Sequence, residues 1–107
     1  MMDKTTMLFK LRMRIRRIEK FDGIGLQENY IMTEEKFYSM DFFKANSFLL
    51  NVIVDLKNMS NEFEHTGKIE FRSKNYIKML EEMGFIVQKN EYKYTATMRE
   101  EEWLWQE

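Results

Sequence analysis

The sequence predicts a small, single-domain α+β protein. A mainly antiparallel sheet packs on one long and one shorter helix, in the order β-β-α-β-α-β-β. Three observations predict it. Apolar and basic residues alternate strictly from Phe9 to Arg16, and apolar residues recur at three- and four-residue steps from Leu49 to Phe63. Short alternating segments broken by Gly and Asn fill the C-terminal third. At 107 residues the chain, 1–107, is long enough for one core and too short for two. Residues 1–6 and 100–107 fall outside this patterning and are expected to be flexible ends.

As a strand, residues 9–16 place Phe9, Leu11, Met13 and Ile15 on one face and Lys10, Arg12, Arg14 and Arg16 on the other. A helix competes, because Leu8, Leu11, Ile15 and Ile18 also lie at helical spacing. At about 100° per residue, however, it strands Phe9 and Met13 among the arginines. The strand sorts every residue and is preferred, with Arg16-Arg17 marking a bulge or its end. Asp22-Gly23 is a turn signal, so residues 26–32 are expected to return as its hairpin partner, with Glu28 facing the basic strand. Thr33 followed by Glu34-Glu35 carries the signature of a helix start, for a short helix over 34–40.

The organising element is a long helix from Asp41, its cap, to Phe63. Leu49, Val52, Ile53, Leu56, Met59 and Phe63 form its apolar stripe; Lys44, Ser47, Asn51, Asp55 and Asn58 form the polar one. Leu50 and Val54 widen the apolar side, which predicts that a sheet covers them. His65-Thr66-Gly67 ends the helix, and residues 68–72 alternate as a strand with Ile69 and Phe71 inward. Ser73 caps a second helix burying Tyr76, Ile77, Leu80 and Met83, and Gly84 sits where a left-handed C-terminal residue belongs. Residues 85–87 and 92–98 form the closing hairpin around Lys89-Asn90-Glu91.

Composition narrows the chemistry. The absence of Cys excludes a disulfide framework, a thiolate nucleophile and a Cys-based metal site. The single His65 has no nucleophile partner in the pattern. Glu62, Glu64 and His65 match no metal-ligand spacing, and the doublets Glu34-Glu35 and Glu81-Glu82 cannot face one another on a helix. A non-enzymatic protein without cofactor or metal is expected. With no long apolar run, a soluble, cytoplasmic location without membrane contact is expected too. Phe, Tyr, Met, Ile, Asn and Lys make up 50 residues against 12 for Gly, Ala, Arg and Pro. This is the codon signature of an AT-rich genome and suits a phage or mobile-element accessory protein.

The net charge of −1 conceals a division. Residues 1–20 carry seven cations and two anions, a net +5, whereas the other 87 carry ten and sixteen, a net −6. Lys10, Arg12, Arg14, Arg16 and Arg17 are therefore candidates for binding nucleic acid or an acidic partner, unless the chain's own acids cover them. Tyr30 or Phe37 would supply base stacking. Trp103 and Trp105, in an acidic setting, are candidates for anchoring a partner protein or closing over the core. The ten methionines suit an adaptable interior or interface.

The segment Tyr76-Ile-Lys-Met-Leu-Glu-Glu-Met-Gly-Phe-Ile-Val, followed by Tyr92-x-Tyr94-Thr95, resembles the last helix and wing of winged-helix DNA-binding domains. The likeness covers about a fifth of the chain and implies a recognition helix in the major groove. Two features depart from that pattern: a strand precedes the helix, and the helix exposes Glu81 and Glu82, which repel phosphate. Two functional expectations follow. The favoured one is an accessory or regulatory protein, an inhibitor or adaptor, that binds another protein. The alternative is a nucleic-acid-binding regulator that uses the basic strand. Homodimerisation through an uncovered strand is a third.

Overall fold

The computed structural model describes residues 3–98. The chain opens with a helix, α1 (Lys4–Ile18), where the alternating pattern predicted a strand over 9–16. Asp3 starts it, its carboxylate accepting the Thr6 amide N–H at 2.8 Å. Met, Leu, Lys and Arg all propagate a helix well. The face that decides the matter is Met7, Leu8, Leu11, Ile15 and Ile18, all buried. Those five residues satisfy the core, so Phe9 and Met13 are left outside without undoing the fold.

The predicted strand over 26–32 is also replaced, by a six-residue helix α2 (Gly23–Glu28) and the turn that follows it. Asp22-Gly23 serves as a helix start and not a hairpin turn. The Asp22 carboxylate accepts the Gly25 N–H at 3.1 Å, and the reversal is made by Phe21 at φ 59°. Gly25 lies hard against α1, since a Cβ there would stand 2.8 Å from the Arg17 carbonyl oxygen. Buried Asn29 donates to the Gly25 carbonyl at 2.7 Å and closes the junction. A short helix α3 (Glu34–Ser39) follows, capped by Thr33 as expected.

The long helix α4 (Phe42–Thr66) is capped by the Asp41 carboxylate on the Lys44 N–H. It ends three residues beyond the expected Phe63, at Gly67 in the left-handed conformation. Buried Ala45, Leu49, Val52, Ile53, Leu56, Met59 and Phe63 form one stripe along it. Helix α1 runs antiparallel beside it: Arg12 meets Glu64 at 3.1 Å, and seven residues on Glu19 meets Lys57 at 2.9 Å.

The C-terminal third follows the sequence pattern closely. Strand β1 (Lys68–Phe71) leads through a Ser73-capped 3-10 turn, Lys74–Tyr76, into α5 (Ile77–Glu82). Gly84, at φ 106°, turns the chain into β2 (Ile86–Lys89), and β3 (Tyr94–Thr97) returns between the two earlier strands. The sheet is antiparallel in the order β1-β3-β2, with Ile69 opposite Ala96 and Ala96 opposite Val87. The whole order is thus α-α-α-α-β-α-β-β: an α+β domain in which helices, not strands, make up the N-terminal half.

Candidate interaction surfaces

Because residues 9–16 are helical, the basic side chains do not share one face. At about 100° per residue Lys10, Arg14 and Arg17 line one side of the outward ridge of α1, and Arg12 and Arg16 line the other. Phe9 and Met13, one turn apart, occupy the crest between them and are 63% and 46% exposed.

The protein's own groups engage three of these five cations. Arg17 bridges Asp22 at 3.3 Å and Glu28 at 3.2 Å, tying α1 to both ends of α2. Arg14 donates to the Asn29 side-chain oxygen at 3.1 Å, and Arg12 pairs with Glu64. Lys10 and Arg16 have no ion pair among the described residues. The predicted meeting of Glu28 with the basic segment therefore occurs, across a helix junction and not a ladder. Shallow clefts of about 320 and 300 Å³ flank the ridge, one beside Arg14, Arg17 and Glu28, the other beside Arg12, Arg16, Glu19 and Lys57.

A second surface was not foreseen. Leu50 and Val54, expected under a sheet, are 49% and 55% exposed on α4, and Phe42 and Phe43 at its start are 74% and 81% exposed. The contacts with α1 and β1 are made by the other side of α4, where the buried stripe lies. A sequence signal did exist. The apolar stripe from Leu49 to Phe63 is complete without Leu50 and Val54, so both were surplus to the core. Phe42 and Phe43 pack edge to face at 5.8 Å between ring centres.

Tyr76 and His65 have partners within the fold. Tyr76 is buried and donates its hydroxyl to Asp55 at 2.6 Å; burial, with the Asp55 carboxylate adding, pushes the phenol's pKa well up, so it stays a donor. His65 donates through Nδ1 to the Asn61 carbonyl at 2.7 Å on the exposed end of α4. Among the described residues no cluster of three or more His, Asp or Glu could hold a metal ion, and no helix is long and apolar enough to cross a membrane. Phe37 is buried, which leaves Tyr30 as the accessible one of the two proposed stacking rings, and the Lys78 ammonium lies 4.8 Å from its centre. The helix likened to a recognition helix is six residues long and exposes Glu81 and Glu82. Trp103 and Trp105 lie outside the described residues. Comparison with protein-family models, curated proteins and solved structures finds no match.

Proposed function

We propose that this chain is a small, non-enzymatic accessory protein that binds another protein, and that the ridge of α1 takes an acidic, apolar segment of that partner. A regulatory role as an inhibitor or adaptor, of the kind phages and mobile elements encode, suits its size and composition. The observation that carries the reading is the exposed Phe9–Met13 pair set between two rows of cations. Aromatic, Met and Arg side chains are the enriched residues of protein interfaces, and a phosphate backbone has no use for an apolar crest. Arg12, Arg14 and Arg17 are held by neighbouring side chains, so the ridge loses little entropy on binding, while Lys10 and Arg16 are left to meet a partner's carboxylates.

The second reading, nucleic-acid binding, draws on the same five cations. Its electrostatic driving force scales with the cations available to phosphate, and here three of the five are already engaged. The exposed acids on α5 weigh further against a winged-helix mode.

The test separates the two. Full-length protein, nuclease-treated, is used to capture partners beside the double variant Phe9→Glu with Met13→Glu, whose substitutions sit on the exposed crest and should leave helicity unchanged. The expected result is a specific protein partner that the variant binds at least about tenfold more weakly. Oligonucleotide binding that falls steeply with salt, is lost in Lys10→Glu with Arg16→Glu and is untouched by the crest variant would favour the second reading instead.

A further inference from the structure

We propose that a second copy of this chain covers the outer face of α4, forming a two-fold antiparallel helix pair. Positions 43, 47, 50 and 54 are spaced four, three and four residues apart, the 3.5-residue repeat of a helix–helix seam. This line lies on the side of α4 opposite Leu49, Leu56 and Phe63, and so is separate from the core. The seam is self-complementary in shape. When Phe43 stands opposite the partner's Val54, Ser47 stands opposite the partner's Leu50, so each larger side chain meets a smaller one, and each layer occurs twice.

Charge selects the same arrangement. Lys44 and Asp55 lie on the same flank of the seam, eleven residues apart, and Asp55, which accepts the Tyr76 hydroxyl on Oδ2, is otherwise exposed. A two-fold axis brings like flanks together in an antiparallel pair, and this register leaves Lys44 offset from the partner's Asp55 by two residues. That is about 3 Å along the axis, well within the reach of a lysine. In a parallel pair the two copies of this flank would lie on opposite sides of the seam, so Lys44 would not reach the partner's Asp55. Phe42, beside Phe43, widens the apolar contact at each end. Beyond Val54 the seam turns to Lys57 and Asn61, so about three turns of each helix take part and the dimer belongs to the small, reversible class of interfaces.

Sedimentation velocity on the full chain over a concentration series should show a reversible monomer–dimer equilibrium. Leu50→Glu should raise its dissociation constant by at least about tenfold, and Lys44→Glu should raise it less. The register is tested by oxidation, which is clean because the chain has no Cys. Ser47→Cys chains mixed with Leu50→Cys chains should cross-link to one another faster than either does to itself. A chain that stays monomeric throughout overturns the proposal, as does a dimer indifferent to Leu50→Glu or a mixture that cross-links without preference. The α1 reading stands apart, because Phe9→Glu with Met13→Glu should leave this dimer intact. A dimer that dissolves with that variant and not with Leu50→Glu counts against the proposal.

Discussion

Two glycines show how differently one residue type can be required. At Gly25 the constraint is space: an added Cβ meets the Arg17 carbonyl oxygen and the Ile18 Cα at 2.8 and 3.0 Å, both backbone atoms that cannot swing aside. At Gly67 it is conformation: φ is +77° and nothing lies within 4 Å. Gly25→Ala should therefore destabilise by about 1–3 kcal/mol through overpacking, and Gly67→Ala by about 1–2 kcal/mol through the left-handed backbone. Asparagine separates the causes. Gly67→Asn should recover much of the loss, because Asn tolerates the left-handed region, whereas Gly25→Asn should be worse than Gly25→Ala. Urea unfolding of the four variants measures the order, and equal responses to Asn at both sites would contradict the assignment.

At the scale of the element, α4 carries two apolar faces with different duties. Leu56 is fully buried and Leu50 is half exposed, six residues apart on one helix. Leu56→Ala should cost about 2–5 kcal/mol, the transfer term plus a cavity. Leu50→Ala should change the stability of the monomer by no more than about 0.5 kcal/mol. Thermal or denaturant unfolding at low protein concentration tests the contrast; a large loss at Leu50 would mean that this face supports the fold. Helix α1 has the same duality, with Leu11 in the core and Phe9 outside. Its surface pairs Arg12–Glu64 and Glu19–Lys57 orient it on α4 but, half exposed and screened, add little to its stability.

Across the whole molecule the basic N-terminal segment and the acidic remainder are partly reconciled within the fold. Arg17 with Asp22 and Glu28, and Arg12 with Glu64, cross from one side of the division to the other. Carboxylates that the folded chain favours as anions are spread along it. The Thr6 amide N–H holds Asp3 below its ordinary value; the Gly25 N–H, with the Arg17 guanidinium adding, does the same for Asp22; and the Lys93 ammonium does so for Glu70. A depressed carboxyl stabilises the fold fully above its ordinary pKa, 3.8 for Asp and 4.5 for Glu, and that contribution drains away as pH falls through the folded value. Stability from these groups should be level near neutrality and decline on acidification below about pH 4–5. Asp22→Asn keeps a capping side chain but removes the titrating group, so it should make the acid limb shallower. Unfolding midpoints across pH check this, and an unchanged limb would remove Asp22 from the account.

Much of the fold was legible locally. Asp41, Thr33 and Ser73 announce helix starts with short acceptor side chains, Gly84 supplies a left-handed turn, and the 3.6-residue stripe of α4 belongs to no other element. These signals act within a few residues, so the sequence by itself determined them. The N-terminal half was not legible in the same way. Phe9 to Arg16 satisfies a strand by alternation and a helix by the Leu8–Leu11–Ile15–Ile18 spacing, and Asp22-Gly23 serves a turn and a cap equally well. The choice went to the helix because α4 offered a long apolar side for Leu8, Leu11, Ile15 and Ile18 to cover, and because Gly25 allowed the next turn of chain to approach α1 closely. The same packing decided the candidate sites. It left Phe9 and Met13 on a crest, split the cations into two rows with three of them engaged, and kept Leu50 and Val54 in the open. The apolar stripe of α4 is complete without Leu50 and Val54, but whether another element covers them depends on packing between distant segments, and only the tertiary structure decides that.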